Sequence, residues 1–161
     1  MSDREAPEIR VRPMTPDEFA AWQEHSATEY AGEVSAARGI PLEDARRIAA
    51  ESFDRHLPDG QGTAGVHIVL GEDAEGSRVG ILWVGPNPDG VGPAWVYDIE
   101  VAEDRRGEGW GRALMTEAER LAREDGHEEL GLNVFGSNTV ARRLYESLGY
   151  EPSSIQMRKP L

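Results

Sequence analysis

The segment Val96 to Gly111, VYDIEVAEDRRGEGWG, constrains this chain most: an apolar strand runs into a basic, glycine-rich turn that opens directly into an amphipathic helix. The first four N–H groups of a helix lack intrahelical partners, and its N-terminus carries roughly half a positive charge, so a turn without side-chain bulk can wrap an anion there. Gly107, Gly109 and Gly111 supply bare backbone, and Arg105, Arg106 and Arg112 add full positive charge. The whole chain has a formal net charge of -13. Positive charge gathered at one turn of an acidic protein points to a specific anionic ligand.

Spacing separates the known glycine-rich anion turns. A Walker loop, G-x-x-x-x-G-K-[ST], is excluded because the chain has no Gly-Lys pair. A Rossmann turn, G-x-G-x-x-G, does not fit either: the residue three after Gly109 is Arg112, and the turn lies well past mid-chain. What fits is R-x-x-G-x-G, carried by Arg106, Gly109 and Gly111. Downstream, LGLNVFGSNTVARRLYESLGY from Leu130 to Tyr150 reads as a short strand, a Gly-Ser-Asn break, a helix capped by Asn138, and Gly149 as its stop. Tyr145 follows Asn138 by seven residues, two helical turns, which puts both on one face.

Together these segments resemble the GCN5-related N-acetyltransferases. R-x-x-G-x-G is similar to that family's acyl-coenzyme A pyrophosphate loop. Asn138, Ala141, Leu144, Tyr145, Glu146, Gly149 and Tyr150 match its second motif, N-x-x-A-x-x-L-Y-E-x-x-G-[FY]. The resemblance is specific over Trp95 to Tyr150 and architectural before it. It implies an α/β fold with a central mixed sheet splayed at the coenzyme and flanked by helices. Acetyl-coenzyme A would be the co-substrate, its pyrophosphate held by the turn from Arg106 through Gly107, Glu108, Gly109, Trp110 and Gly111 to Arg112. Its pantetheine arm would pair with backbone of Ile99 and Val101 like an added strand, with Asn138 either binding the arm's amide or capping its helix.

Composition fits one domain over residues 1–161, with an acceptor-side half at about 9–84 and a coenzyme half at about 94–157. At 161 residues, a single core can bury about 70% of the unfolded surface. No apolar run approaches the roughly 18 residues of a membrane span, and MSDREAPEIR lacks the apolar core of a signal peptide. A cytoplasmic protein without membrane partners is expected. The absence of cysteine removes disulfides, thiolate catalysis and cysteine-based metal sites. A pI near 4.7 argues against nucleic acid. His25, His56, His67 and His127 are scattered without metal-ligand spacing, so no metal is expected. No G-x-S-x-G elbow exists.

Periodicity places the remaining elements. Ile9 to Met14 reads as a strand, and Thr15 with Pro16, Asp17 and Glu18 starts a helix running to about Ala31. Pro41 to Leu57 is a second helix. Val66 to Leu70 and Arg78 to Val84 form a hairpin, and Ala94 to Ala102 is the central strand. Trp110 to Arg123 is a helix, Glu129 to Phe135 a strand, Thr139 to Leu148 a helix, and Ser153 to Met157 a last strand. This mixed order is an α/β layout.

Amide formation from a thioester needs a base for the acceptor ammonium, a donor for the developing oxyanion and a proton for the leaving thiolate. The resemblance gives the last role to Tyr145. Asp98 and Glu100 are candidate bases, being acids in an otherwise apolar strand. Alternation puts both opposite Tyr97, unless the bulge expected from the family shifts the parity. Tyr30 and Glu33 fall where the family lines its acceptor pocket. Asn133 stands where relatives that acetylate protein N-termini carry a glutamate. The expected reaction is direct acetyl transfer to a primary amine, of a small molecule or amino-acid-like metabolite. Protein N-terminal or lysine acetylation, and a non-catalytic acyl-coenzyme A-binding regulator, stay open beside it. A homodimer is compatible with the family.

Overall fold

Local signals start and stop the helices of the N-terminal half. In the computed structural model, which describes residues 6–161, Thr15 caps helix α1 (Pro16–Arg38): its hydroxyl accepts from the Glu18 amide while the Glu18 carboxylate accepts from the Thr15 amide at 2.8 Å. This reciprocal pair satisfies two orphan donors. The Arg12 guanidinium, on strand β1 (Arg10–Pro13), grips Glu18 through two N–H groups and Glu72 of strand β2 (His67–Glu72) through Nε. That clamp holds the Glu18 carboxyl down at about 2. Helix α1 outruns its expected end near Ala31, because Ala31 and Val34 continue its buried face against Ala45 and Ala49 of α2 (Leu42–His56). It stops at Gly39, whose φ of 64° suits a left-handed cap.

Strand β2 returns through β3 (Arg78–Gly85) to β4 (Ala94–Val101), and helix α3 (Trp110–Glu124) leads to β5 (Leu130–Leu132) and α4 (Thr139–Ser147). The sheet order is β1-β2-β3-β4-β5, antiparallel except for the parallel β4/β5 pair. The mixed α/β architecture is the one expected. Alternation on β2 and β3 sorts the core: Val69, Leu82 and Val84 pack with Leu114, Met115 and Ala118 of α3, whereas Ile68, Leu70, Ile81 and Trp83 pack with Trp22 and Phe53 of α1 and α2.

Two expected strands change. The strand read as Glu129 to Phe135 shrinks to Leu130–Leu132, since Phe135 turns away to pack on the α1/α2 cluster. The strand read as Ser153 to Met157 is absent: the tail lies exposed without ladder partners, and a strand without a neighbour has no bonds to hold it extended. Residues 1–5 of the single-domain expectation lie outside the described residues. No helix among the described residues is long and apolar enough to cross a membrane.

Candidate active site

A bulge in β4 builds the acidic wall of the site. Trp83 pairs with Asp98 but Val84 pairs with Val96, so Tyr97 is the extra residue. Val96, Ile99 and Val101 therefore face α3, while Tyr97, Asp98 and Glu100 all face α1. The strict alternation that opposed Tyr97 to the two acids is corrected by that one inserted residue. The Asp98 carboxylate accepts hydrogen bonds from Ser26 Oγ at 2.7 Å and Trp22 Nε1 at 3.0 Å. Burial pushes its carboxyl above the usual range and the Glu100 charge adds to this, while the two donors pull the other way. Glu100 lies 3.3 Å from His25 Nε2.

Tyr145, on α4, packs in the core cluster that includes Val96, Ile99 and Val101 of β4. It is 9% exposed, with its ring edge-on to Tyr150. Its hydroxyl has no protein partner among the described residues yet is not sealed from solvent. Burial raises its phenol first, and the charges of Asp98 and Glu33 raise it further. Burial also raises the Glu33 carboxyl, again with help from Asp98. Side chains from α1, β4 and α4 thus share one electrostatic neighbourhood.

Along the stretch of β4 that carries Asp98 the sheet has an open edge. Strand β5 pairs only with Ala94, Trp95 and Val96, leaving β4 without a neighbour on that side from Tyr97 to Val101. The Ala102 amide donates to Val79 of β3, so backbone alternation turns the polar groups of Ile99 and Val101 away from β3 and toward the open edge. Arg106 Nε reaches the Val101 carbonyl there at 3.4 Å.

The basic turn sits at the end of this edge. Gly109 caps α3 in the left-handed region, with φ 97° and no side-chain cap, and the first turn of α3 contains no acid. Helices α1 and α2 each carry two acids in their first turns. Bare amides at Trp110, Gly111 and Arg112 with an uncompensated dipole suit a pyrophosphate. A Cβ at Gly111 would stand 3.0 Å from Leu144 Cδ2, so this glycine also lets α4 pack against the turn. The three arginines divide the work differently from the sequence reading. Arg105 is tied to Asp73 at 2.9 Å and to Glu108, and lies over the Trp110 ring, fastening the turn to the β2–β3 hairpin. Glu108 also accepts from Trp110 Nε1, and the Trp110 side chain is buried. Only the backbone of Trp110 is left for a ligand. Arg112 donates to Ser147 of α4.

Of the other expected site residues, Asn138 caps α4 by accepting from the Ala141 amide at 3.1 Å. Asn133 is exposed beyond β5, and Tyr30 is half-buried in the α1/α2 cluster near Phe135. Among the described residues no group of three or more His, Asp or Glu is placed to hold a metal. Sequence reasoning missed Ser26 as a partner of Asp98. Its signal was a serine four residues after Trp22, on the buried face of a helix.

Comparison with known proteins agrees with this geometry. The model of the acetyltransferase (GNAT) family matches residues 17–150. The chain is 32% identical over 155 residues to the uncharacterized N-acetyltransferase YycN of Bacillus subtilis strain 168, covering 95% of this chain and 99% of that protein. The crystal structure of YycN superposes with a TM-score of 0.86 at 31% identity, over 96% of this chain and 99% of that one. Streptothricin acetyltransferase of Streptomyces lavendulae is 38% identical over 105 residues, which are 58% of this chain and 54% of that protein. With the open strand edge, the uncapped helix and these relatives in agreement, the chain belongs to the acetyltransferase (GNAT) family and is an N-acetyltransferase.

Proposed function

We propose that this enzyme transfers the acetyl group of acetyl-coenzyme A directly to the primary amine of a small, amino-acid-like metabolite, with Asp98 as base and Tyr145 as acid. The carrying observation is that Asp98 lies on the unpaired stretch of β4 while Tyr145 packs in the cluster that includes Ile99 and Val101 of that same stretch, near enough for the Asp98 charge to raise its phenol. The acetyl thioester supplies an activated acyl carbon and a thiolate leaving group.

Each residue then has one task. Backbone groups of Ile99 and Val101 hold the pantetheine arm, and the amides from Gly107 to Arg112 with the Arg106 guanidinium hold the pyrophosphate. Asp98 removes a proton from the acceptor ammonium, directly or through one water. The neutral amine nitrogen forms its bond to the acyl carbon, the carbon–sulfur bond breaks as the Tyr145 hydroxyl protonates the sulfur, and the second proton lost by the nitrogen returns through water to the Tyr145 phenolate, leaving a neutral amide. A raised Asp98 carboxyl is a stronger base than an ordinary aspartate, and a raised phenol keeps its proton across the physiological range. Glu100 and Glu33 strengthen the negative field that draws in an ammonium group.

Because the chain has no cysteine, every free thiol in an assay comes from released coenzyme. Thiol release measured against a panel of amino acids, polyamines, aminoglycosides and N-terminal peptides is expected to depend on amino-acid-like amines. Dependence on peptides or polyamines alone would overturn the acceptor class.

A further inference from the structure

A second charge reversal lies across α1 and α2. A cavity of about 320 Å³ opens between them, lined by Tyr30 and Arg38 from α1 and by Ser52, Arg55 and His56 from α2. Glu51 also lines it but forms an ion pair with Arg47 at 3.3 Å. Arg38 and Arg55 form no ion pair among the described residues, although the chain is strongly acidic. Complementing two helix dipoles explains a basic residue in each last turn. It does not explain why both guanidinium groups line one cavity together with a hydroxyl and an imidazole.

The cavity reaches the strand that carries Asp98. The His56 ring lies against Tyr97, with centroids 4.9 Å apart, and the β4 bulge puts Tyr97 on the same face as Asp98. Tyr30 shares its apolar cluster with Phe135, which follows β5 at the open gap. Burial and the Arg55 charge hold His56 below its usual pKa, leaving a neutral ring that can donate one N–H.

We infer that this cavity is an anion subsite that holds the carboxylate of the acceptor. Resting on the amine-acetylating reading above, it makes the acceptor a zwitterion: the ammonium end meets the acidic wall of Asp98, Glu100 and Glu33, and the carboxylate meets Arg38, Arg55, Ser52 and His56. Opposite charges at the two ends orient the chain of the acceptor, and its length is set by the span between them.

The test compares glycine, gamma-aminobutyrate and epsilon-aminocaproate with their primary amides, in the wild type and in the double variant Arg38→Gln/Arg55→Gln. Both positions are exposed, so the variant is expected to fold. Thiol release gives kcat and KM. Calorimetry of the N-acetylated acids and amides, with coenzyme A present, reads the subsite without turnover. Expected is a preference of about tenfold or more for at least one acid over its amide, lost in the double variant through KM with little change in kcat. Equal treatment of acids and amides by the wild type, or an acid preference that survives the double variant, overturns the subsite. Thiol release from the amides as fast as from the matching acids in the wild type would remove the subsite and leave the transferase reading standing. Silent thiol assays with acid-selective product binding would keep the subsite and remove direct acetyl transfer to these amines.

Discussion

Ser26 donates its hydroxyl proton to Asp98 at 2.7 Å, across the interface between α1 and β4. This bond holds the Asp98 carboxylate in place and, with the Trp22 indole, offsets the burial that would otherwise push the carboxyl still higher.

Neighbours of Asp98 should move its titration in opposite directions. The rising limb of kcat/KM with pH should lie above the ordinary carboxylate range, because the base exists only above its raised pKa. Ser26→Ala removes a donor to the charged form and should shift the limb to higher pH. Glu100→Gln removes a like charge and should shift it to lower pH. Parallel shifts would break this assignment. Asp98→Asn should abolish the limb and lower kcat/KM by about 10²- to 10⁴-fold.

The same raised carboxyl has a consequence for stability. A folded-state pKa above the unfolded one means that the native protein binds more protons between the two values. Asp98 therefore favours the fold below its ordinary value, and that contribution is lost as pH rises through the folded value. Urea midpoints across this window should fall less steeply with pH in Asp98→Asn than in the wild type; identical slopes would place the carboxyl at its ordinary value.

Adjacent arginines should separate by readout. Arg105→Ala removes the link between the turn and Asp73 and should lower the thermal midpoint. Arg106→Ala touches only a carbonyl in the protein and should weaken coenzyme A binding about tenfold, with the midpoint unchanged. Calorimetry beside thermal unfolding checks both.

Gly80 is a packing constraint on β4. A Cβ there would collide with the backbone oxygen of Glu100, on the strand that carries Asp98. Gly80→Ala should cost about 1–3 kcal/mol in denaturant unfolding and reduce turnover as well. Full stability with full activity would contradict the register of β3 on β4.

What could be read from the sequence was what is local. The Thr15 cap, the Gly107 to Gly111 turn and the Asn138 cap depend on neighbours within a few residues. The β4 bulge is a property of its pairing with β3, so alternation within β4 misplaced Tyr97 relative to Asp98. The unformed strand at Ser153 to Met157 has the same origin: its pattern was adequate, and pairing was missing. Arg105 read as a ligand cation because Asp73, its partner, lies 32 positions away. Arg38 and Arg55 gave no signal at all, since only the packing of α1 on α2 brings them to one cavity.

The central claim, that acetyl transfer at this edge uses a protonated Tyr145, is tested most directly by single-turnover acetyl transfer in Tyr145→Phe beside calorimetric coenzyme A affinity. The account predicts a transfer rate lower by about 10²-fold or more, with affinity essentially unchanged. An unchanged rate, or a loss of rate matched by an equal loss of affinity, would contradict it.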